Sequence, residues 1–325
     1  MILSVVIPTR DKRALLERTL QALRAQQPGM DAWQIVVVND GSRDDTGRLL
    51  AAIAAAEPRL QIVAPPKNVG RAAARNLGWR RATGRWILFL DDDILAPPGL
   101  LRAHLDLLAA GEFYGTVGPA VTDPAIVDAP HFHYLDSRGV AKLPPGPAPA
   151  KYFVTQNAAV PRQALEQVGG FDEAYAAYGF EDMDLGFRLE NAGVRFQVVP
   201  APIPLHLHHH DLAAYLEKKR ICGESSLAQI ARRHPERLGE MRLHWILAPG
   251  NRAPSPRQRL VRGLLRGPFG TLAAAAVRRW PHGAFRRPVA PAVYSRCMDV
   301  AVFRAYCHGL SDAEARAVNM AHIAP

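Results

Sequence analysis

At 325 residues, 48% hydrophobic and 22% charged, the chain has the composition of a globular protein with a full core, in one large domain or two. Its net charge of +10 is lopsided: residues 1–210 hold 21 Lys/Arg against 22 Asp/Glu, and residues 211–325 hold 19 against 8. Three scattered cysteines, Cys222, Cys297 and Cys307, argue against a disulfide framework or a cysteine zinc site, and no apolar run nears the roughly 20 residues of a membrane span.

The opening MILSVVIP lacks a basic segment and breaks at Pro8, so it reads as a first strand, not a signal peptide, and predicts a cytoplasmic protein, at most peripheral on the inner face of a membrane. Residues 5–7 form that strand, and Leu16, Leu20 and Leu23 follow at helical spacing. Residues 33–38 are a second strand, with Asp44 and Asp45 opening a helix through Ala56. A third strand at 60–63 precedes a helix from Arg71 to about Trp79. A fourth, 86–90, runs into Asp91, Asp92 and Asp93, after which Pro97 and Pro98 start another helix. Strands alternating with helices predict an α/β fold with a parallel sheet. Six prolines between 123 and 150 suggest a long irregular loop. Beyond it come a strand at 152–160, a short helix at 162–168 stopped by Gly169-Gly170, and a helix carrying Leu185, Leu189 and Ala192. Glu181 and Asp182 fall on the loop just before that helix. A strand at 194–199 leads to PLHLHHHD, and thereafter the chain reads as helical and basic. One helix spans 212 to about 233 and another 257–266, with eleven arginines and one acid, Asp299, between 252 and 304.

Four loops follow successive strands: 9–11, 40–42, 68–71 and 91–93. In a parallel sheet such loops gather along one edge, where open α/β folds bind ligands. Three adjacent carboxylates at that edge repel one another and call for a compensating cation, a divalent metal above all. The first loop, PTRDK, contains no glycine, which excludes both the dinucleotide fingerprint and the phosphate loop of P-loop enzymes.

The run VVIPTRD, VVNDGSRDDT, NVGRAAARNLG, FLDDDIL, GGFDE and GFEDMDLGFRL, over roughly residues 1–210, resembles the family 2 glycosyltransferases, inverting nucleotide-sugar enzymes of GT-A fold. The last block with its following histidines also resembles the C-terminal catalytic motif of galactosyltransferase-like members. The resemblance implies a GT-A catalytic domain, a Rossmann-like mixed and mainly parallel sheet, over 1–210, with a basic helical extension over 211–325. It implies that Pro8, Thr9 and Asp11 lie against the nucleoside, that Asp40 accepts a hydrogen bond from the base, and that Arg71 lies near the donor phosphates. Asp91 and Asp93 match the ends of a D-x-D metal motif, with Asp92 inside the same donor-binding stretch and without a separate role. Asp182, of the pair Glu181-Asp182, matches the general base. His206, ahead of His209, aligns with a histidine that completes the metal shell, against the alternative of exposed, solvated histidines.

The residue types suit the chemistry. Carboxylates are the hard ligands that Mn²⁺ or Mg²⁺ prefer, and such an ion neutralises the leaving diphosphate, while a carboxylate base activates an acceptor hydroxyl. The expected donor is a UDP-sugar and the expected acceptor a glycan or lipid-linked hydroxyl. Duller roles compete: Asp40 could cap its own turn, the 181–182 acids could serve the helix dipole, and Asn68, Arg75, Asn76, Gln156 and Asn157 could be structural. Two other functions compete as well, a sugar nucleotidyltransferase, which would need a glycine-rich, lysine-bearing first loop, and a non-catalytic nucleotide-sugar or glycan-binding module. Arginines interleaved with Leu264, Leu265, Phe269, Trp280 and Phe285 suggest peripheral contact with an anionic membrane or a solvated basic face; no nucleic-acid module is present.

Overall fold

The computed structural model describes residues 2–27, 33–111, 113–126, 129–207, 210–280 and 290–323, with only the backbone described for Ala290 and 318–323. The chain divides into two compact units. The first comprises residues 1–126, 136–176 and 185–209, and the second 127–135, 177–184 and 210–325.

In the first unit the elements run β1 (Leu3–Thr9), α1 (Arg13–Arg24), β2 (Trp33–Asn39), α2 (Thr46–Ala56), β3 (Leu60–Val63), α3 (Arg71–Arg81), β4 (Trp86–Leu90), β5 (Ile94–Leu95), α4 (Leu100–Ala109), β6 (Tyr114–Val117) and β7 (Val121–Thr122). After α5 (Pro130–Asp136), nearly all of which groups with the second unit, come β8 (Gly146–Pro147), β9 (Asn157–Pro161), α6 (Arg162–Val168), α7 (Glu181–Asn191), whose residues through Asp184 also group with the second unit, β10 (Arg195–Val198) and β11 (Leu205–His206). An eight-stranded sheet has the order β3-β2-β1-β4-β9-β6-β10-β8. The β3-β2-β1-β4 half is parallel, β9 runs antiparallel between β4 and β6, and β10 returns parallel to β6. The sheet is thus mixed and mainly parallel, as expected.

Side chains alternate across a strand, and the packing uses both faces. Val5, Ile7, Ile35, Val37, Leu88 and Leu90 share a buried cluster with Leu16, Leu20 and Leu23 of α1 and Leu100, Leu101, Leu105 and Leu108 of α4. The opposite face admits α3 because the helix carries glycine where it crosses. A Cβ on Gly78 would stand 2.4 Å from Val6 Cγ1 and 3.1 Å from Val38 Cγ2.

Several boundaries differ from expectation. The helix placed at Pro97–Pro98 begins at Leu100, behind a left-handed Gly99. The expected strand at 152–160 is β9 alone, preceded by a single helical turn at Ala150–Tyr152. The proline-rich stretch is not structureless. It holds α5, a turn of helix at Gly139–Lys142 and β8, because Pro130 sits at a helix start where its missing N–H costs nothing. Glu181 and Asp182 are the first two residues of α7, not loop residues, placed where acids meet the favourable end of the helix dipole.

The second unit is helical: α8 (Leu212–Glu224), α9 (Ser226–Arg233), α10 (Pro256–Arg266), α11 (Pro268–Arg278) and α12 (Ala290–Ile323), with α5 residues before 136. The expected single helix over 212–233 breaks at Ser225, whose backbone leaves the helical region. Asp299 accepts a hydrogen bond from the Tyr134 hydroxyl at 2.7 Å. None of the described helices is long and apolar enough to cross a membrane.

Candidate active site

The four strand-end loops of the first unit are bonded to one another. Asp40 N–H donates to the Thr9 carbonyl at 2.9 Å, Asp11 N–H to Ser42 Oγ at 3.0 Å, and Arg43 N–H to Asp11 Oδ1 at 2.6 Å. Asp40 is buried, and its carboxylate accepts from Asn68 Nδ2 at 2.7 Å, Val69 N–H at 2.7 Å and Gly70 N–H at 3.1 Å. Asp40 therefore clamps the start of α3 to the end of β2. Asn68 has a structural role, as donor in that clamp.

The acid triplet divides into three environments. Asp91 is the most exposed of the three and faces Arg75, whose Nη2 lies 3.4 Å from its Oδ1. Asp92 is buried: Oδ2 accepts from Thr9 Oγ1 at 2.7 Å, Oδ1 from Lys12 Nζ at 2.9 Å, and its carbonyl from Thr19 Oγ1 at 3.0 Å. Asp93, also buried, has Lys12 Nζ 2.6 Å from Oδ2 and His206 Nε2 3.1 Å from Oδ1. Burial pushes the Asp92 pKa up to about 6 against the pull of Lys12. Burial alone would raise Asp93 too, but its neighbours His206 and Lys12 hold it well below the usual carboxylate range.

His206 reaches this site through a second, three-stranded sheet of order β5-β11-β7. Antiparallel pairing sets His206 opposite Ile94, and Leu207 N–H donates to the Asp93 carbonyl at 2.8 Å. A residue more than a hundred positions away is thereby fixed beside the third acid. His208 and His209 lie outside the described residues, and His210 groups with the second unit, where its carbonyl meets His131 Nε2 at 3.0 Å.

Among the described residues no group of three or more His, Cys, Asp or Glu is gathered closely enough to hold a metal alone. Two donors nevertheless fit one. Asp93 Oδ1 is buried without a hydrogen-bond partner, and it and His206 Nε2 are 3.1 Å apart. That separation suits adjacent ligands of an octahedral ion with bonds of about 2.1 Å, and a carboxylate with an imidazole suits Mn²⁺.

Other sequence candidates have structural partners. Asn76 donates to the Phe171 carbonyl and Glu173 and accepts from Trp79 and Phe171 N–H, which ties α3 to the turn at Gly170. Asn157 Oδ1 meets His104 Nε2 at 2.8 Å, a satisfied polar contact inside the sheet. Pro8 stays within β1, paired with Val38, and Arg71 is exposed at the first position of α3. Lys12 and the Arg75–Asp91 pair are the site features that sequence reasoning passed over. Both lie within motifs already singled out, but nothing local says where a long cationic side chain will reach.

Glu181 and Asp182 belong to the second unit. Cys222 Sγ and Ser226 Oγ each donate to the Tyr178 carbonyl at 3.1 Å, and a Cβ on Gly179 would meet Cys222 Sγ at 2.6 Å. Asp184, fully buried, accepts from His234 Nε2 at 2.9 Å. The segment before α7 is thus held by the end of α8 and the start of α9, and the first turn of α7 by His234 just after α9. Glu181 is buried and Asp182 half-buried, so Asp182 is the more accessible carboxylate.

The mixed, mainly parallel sheet with an acid triplet at a strand end is the fold of the GT-A glycosyltransferases, and solved structures of that class are similar to it. A mannosyltransferase from Pyrobaculum calidifontis, in complex with GDP-Man and Mn²⁺, superimposes with a TM-score of 0.60 at 21% identity, over 95% of this chain and 85% of that one. The structure of GalNAc-T7 with UDP, GalNAc and Mn²⁺ gives 0.54 at 16% identity, over 73% of this chain and 51% of that one. The chain belongs to glycosyl transferase family 2, whose model matches residues 4–169; a second model, described as the N-terminal domain of galactosyltransferase, matches 141–210. Among curated relatives, a validoxylamine A glucosyltransferase of Streptomyces hygroscopicus subsp. jinggangensis is 30% identical over 280 residues, 74% of this chain and 63% of that protein. A pre-mycofactocin glycosyltransferase of Mycobacterium tuberculosis is 30% identical over 266 residues, 75% of this chain and 52% of that protein. The chain therefore spans between about half and two thirds of the length of these relatives.

Proposed function

We propose that this chain is a metal-dependent, inverting glycosyltransferase that moves a sugar from a nucleoside diphosphate, UDP by preference, to a hydroxyl of a glycan or lipid-linked acceptor in cell-envelope or polysaccharide synthesis. Residues 1–210 would be the catalytic domain and 211–325 its extension. The observation that carries the reading is the pairing of Asp93 with His206 at the carboxyl end of the sheet, beside loops bonded into one edge. The GDP-Man, UDP, GalNAc and Mn²⁺ held by the GT-A neighbours support it.

In this reading Asp93 and His206 hold Mn²⁺ or Mg²⁺, with Asp91 on the ribose side, and the ion when bound neutralises charge on the departing diphosphate. Pro8, Thr9, Asp11 and Asp40 shape the nucleoside site, Arg71 serves the phosphates, and Asp92 fixes the loop through Thr9 and Lys12. Asp182 takes the proton from the acceptor hydroxyl as its oxygen bonds to the anomeric carbon and the bond to the diphosphate oxygen breaks. Single displacement inverts that centre.

The test is a panel of nucleotide-sugars screened for thermal stabilisation and turnover, with Mn²⁺ and with a chelator. Metal-dependent stabilisation by one donor, with turnover, is the expected result. Binding without turnover on any acceptor would favour the non-catalytic module, and pyrophosphate release from a nucleoside triphosphate would favour the nucleotidyltransferase.

A second reading concerns location. Leu260 and Leu264 of α10 and Phe269 and Leu272 of α11 are 64%, 53%, 57% and 71% exposed, among exposed Arg257, Arg259, Arg266, Arg278 and Arg279. Residues 252–280 contain no acid. Apolar side chains ringed by arginines suit an anionic membrane surface, which supports a peripheral position on the cytoplasmic face.

A further inference from the structure

The first loop carries a cation that neither the family's metal nor its donor accounts for. Lys12 Nζ lies 2.6 Å from Asp93 Oδ2 and 2.9 Å from Asp92 Oδ1, while Thr9 holds Asp92 Oδ2. Of the four carboxylate oxygens of Asp92 and Asp93, only Asp93 Oδ1 lacks a hydrogen-bond donor, and that is the atom facing His206. Both acids are almost wholly buried, at 5% and 3% exposure. Neighbouring ionised carboxylates at that depth repel one another and lose hydration, so without an adjacent cation one would take up a proton or swing outward.

We propose that Lys12 is the internal counter-cation of the acid triplet. It holds Asp92 and Asp93 in place while no metal is bound, and by occupying Asp93 Oδ2 it leaves that carboxylate a single oxygen to offer a divalent ion. This rests on the metal-and-donor reading above and deepens it. One-oxygen ligation disfavours Ca²⁺, which takes six to eight oxygens and readily accepts both from a carboxylate. It also leaves most of the shell to groups outside this cluster, so the donor-free protein holds metal weakly, and the donor's phosphates tighten it.

Removing Lys12 has two opposed effects. Losing a partner that orients a ligand typically weakens metal affinity 10- to 100-fold. Removing a unit positive charge about 4 Å from a cation, at an effective dielectric near 20, strengthens it on the order of a thousandfold for each charge of that cation. The charge effect is the larger, so Lys12→Met should bind metal more tightly than the wild type, although its metal-free form is less stable.

The experiment uses the full chain stripped of metal, without donor. Mn²⁺ binding is read from loss of the free-ion EPR signal, Ca²⁺ binding by calorimetry, and stability from thermal unfolding in EDTA. Lys12→Met is expected to melt several degrees below wild type in EDTA, to bind Mn²⁺ at least about tenfold more tightly, and to gain a measurable Ca²⁺ site. Lys12→Arg should restore wild-type behaviour on all three. Lys12→Gln, a polar substitution, serves if the methionine variant is insoluble; folding of either only when Mn²⁺ is present also supports the role. Wild-type melting of both neutral variants in EDTA overturns the inference alone, as does Mn²⁺ affinity no greater than wild type. No Mn²⁺ binding by any of the proteins without donor overturns the inference; if none binds Mn²⁺ with UDP added either, the metal reading falls with it.

Discussion

Asp40 follows a strand and Asp182 lies in the first turn of a helix, and their surroundings assign them different work. Asp40 spends its carboxylate on Asn68, Val69 and Gly70, so Asp40→Ala leaves three donors without their acceptor. Hydrogen bonds to charged groups contribute about 1.5–3 kcal/mol each, not additively, and a total loss of about 3 kcal/mol is expected in urea unfolding. Asp182 is half-buried and more accessible than Glu181. Asp182→Asn is expected to lower transfer by at least the 10²- to 10⁴-fold typical of a general base while leaving donor affinity intact. Asp93→Ala should lower both; equal loss of donor binding in the two variants, measured by calorimetry, would contradict the division of roles. The acid types and their order were legible in the sequence. The resemblance already set Asp91 and Asp93 apart from Asp92, but the partners that give each its environment, Arg75, Thr9, Lys12 and His206, were not legible, because they come from other elements of the chain.

Among elements, α3 is held by specific contacts at both its glycine and its polar face. It lies against β1 and β2 at Gly78, and its polar Asn76 binds the turn that follows α6. Gly78→Val would drive a branched side chain into Val6 and Val38, and a loss of about 1–3 kcal/mol or more is expected from overpacking, read by chemical denaturation. The α10–α11 pair makes a different prediction. The full chain should co-sediment with phosphatidylglycerol vesicles in a salt-sensitive manner and not with phosphatidylcholine alone. Leu264→Gln combined with Leu272→Gln should reduce that binding by tenfold or more, since each buries apolar surface worth about 1.5–3 kcal/mol. Unchanged sedimentation of the double variant would remove the membrane reading. The β1–α3 run was readable because hydrophobic strands and helical spacing are local signals. The helices inside the proline-rich stretch were masked by the prolines, and the break at Ser225 comes two residues after Gly223, a lone glycine of the kind a helical pattern tolerates.

For the molecule as a whole, the acid limit of stability has an identifiable contributor outside the acid triplet. His104 is fully buried between Thr116 Oγ1 and Asn157 Oδ1, each at 2.8 Å, and burial lowers its pKa from 6.5 to about 4. The folded state keeps it neutral while the unfolded chain protonates it. Its contribution is therefore fully present above pH 6.5 and is lost as pH falls toward 4. That window corresponds to about 3 kcal/mol, and His104→Gln should flatten the decline between those values in a pH series of melting curves.

The sequence by itself determined the βα alternation, the strand-end position of the acids, the family motifs and the basic character of the last third. These are properties of neighbouring residues, set by hydrophobic period and residue chemistry. Only the tertiary structure decided that His206 meets Asp93, since that depends on β11 pairing with β5 in one register across more than a hundred residues. It likewise decided that Lys12 neutralises Asp92 and Asp93 and that Asp40 holds the start of α3. The physical reason is common to all three: a side chain's partner is fixed by how strands and loops pack, and a one-residue shift in register would point each of these groups elsewhere.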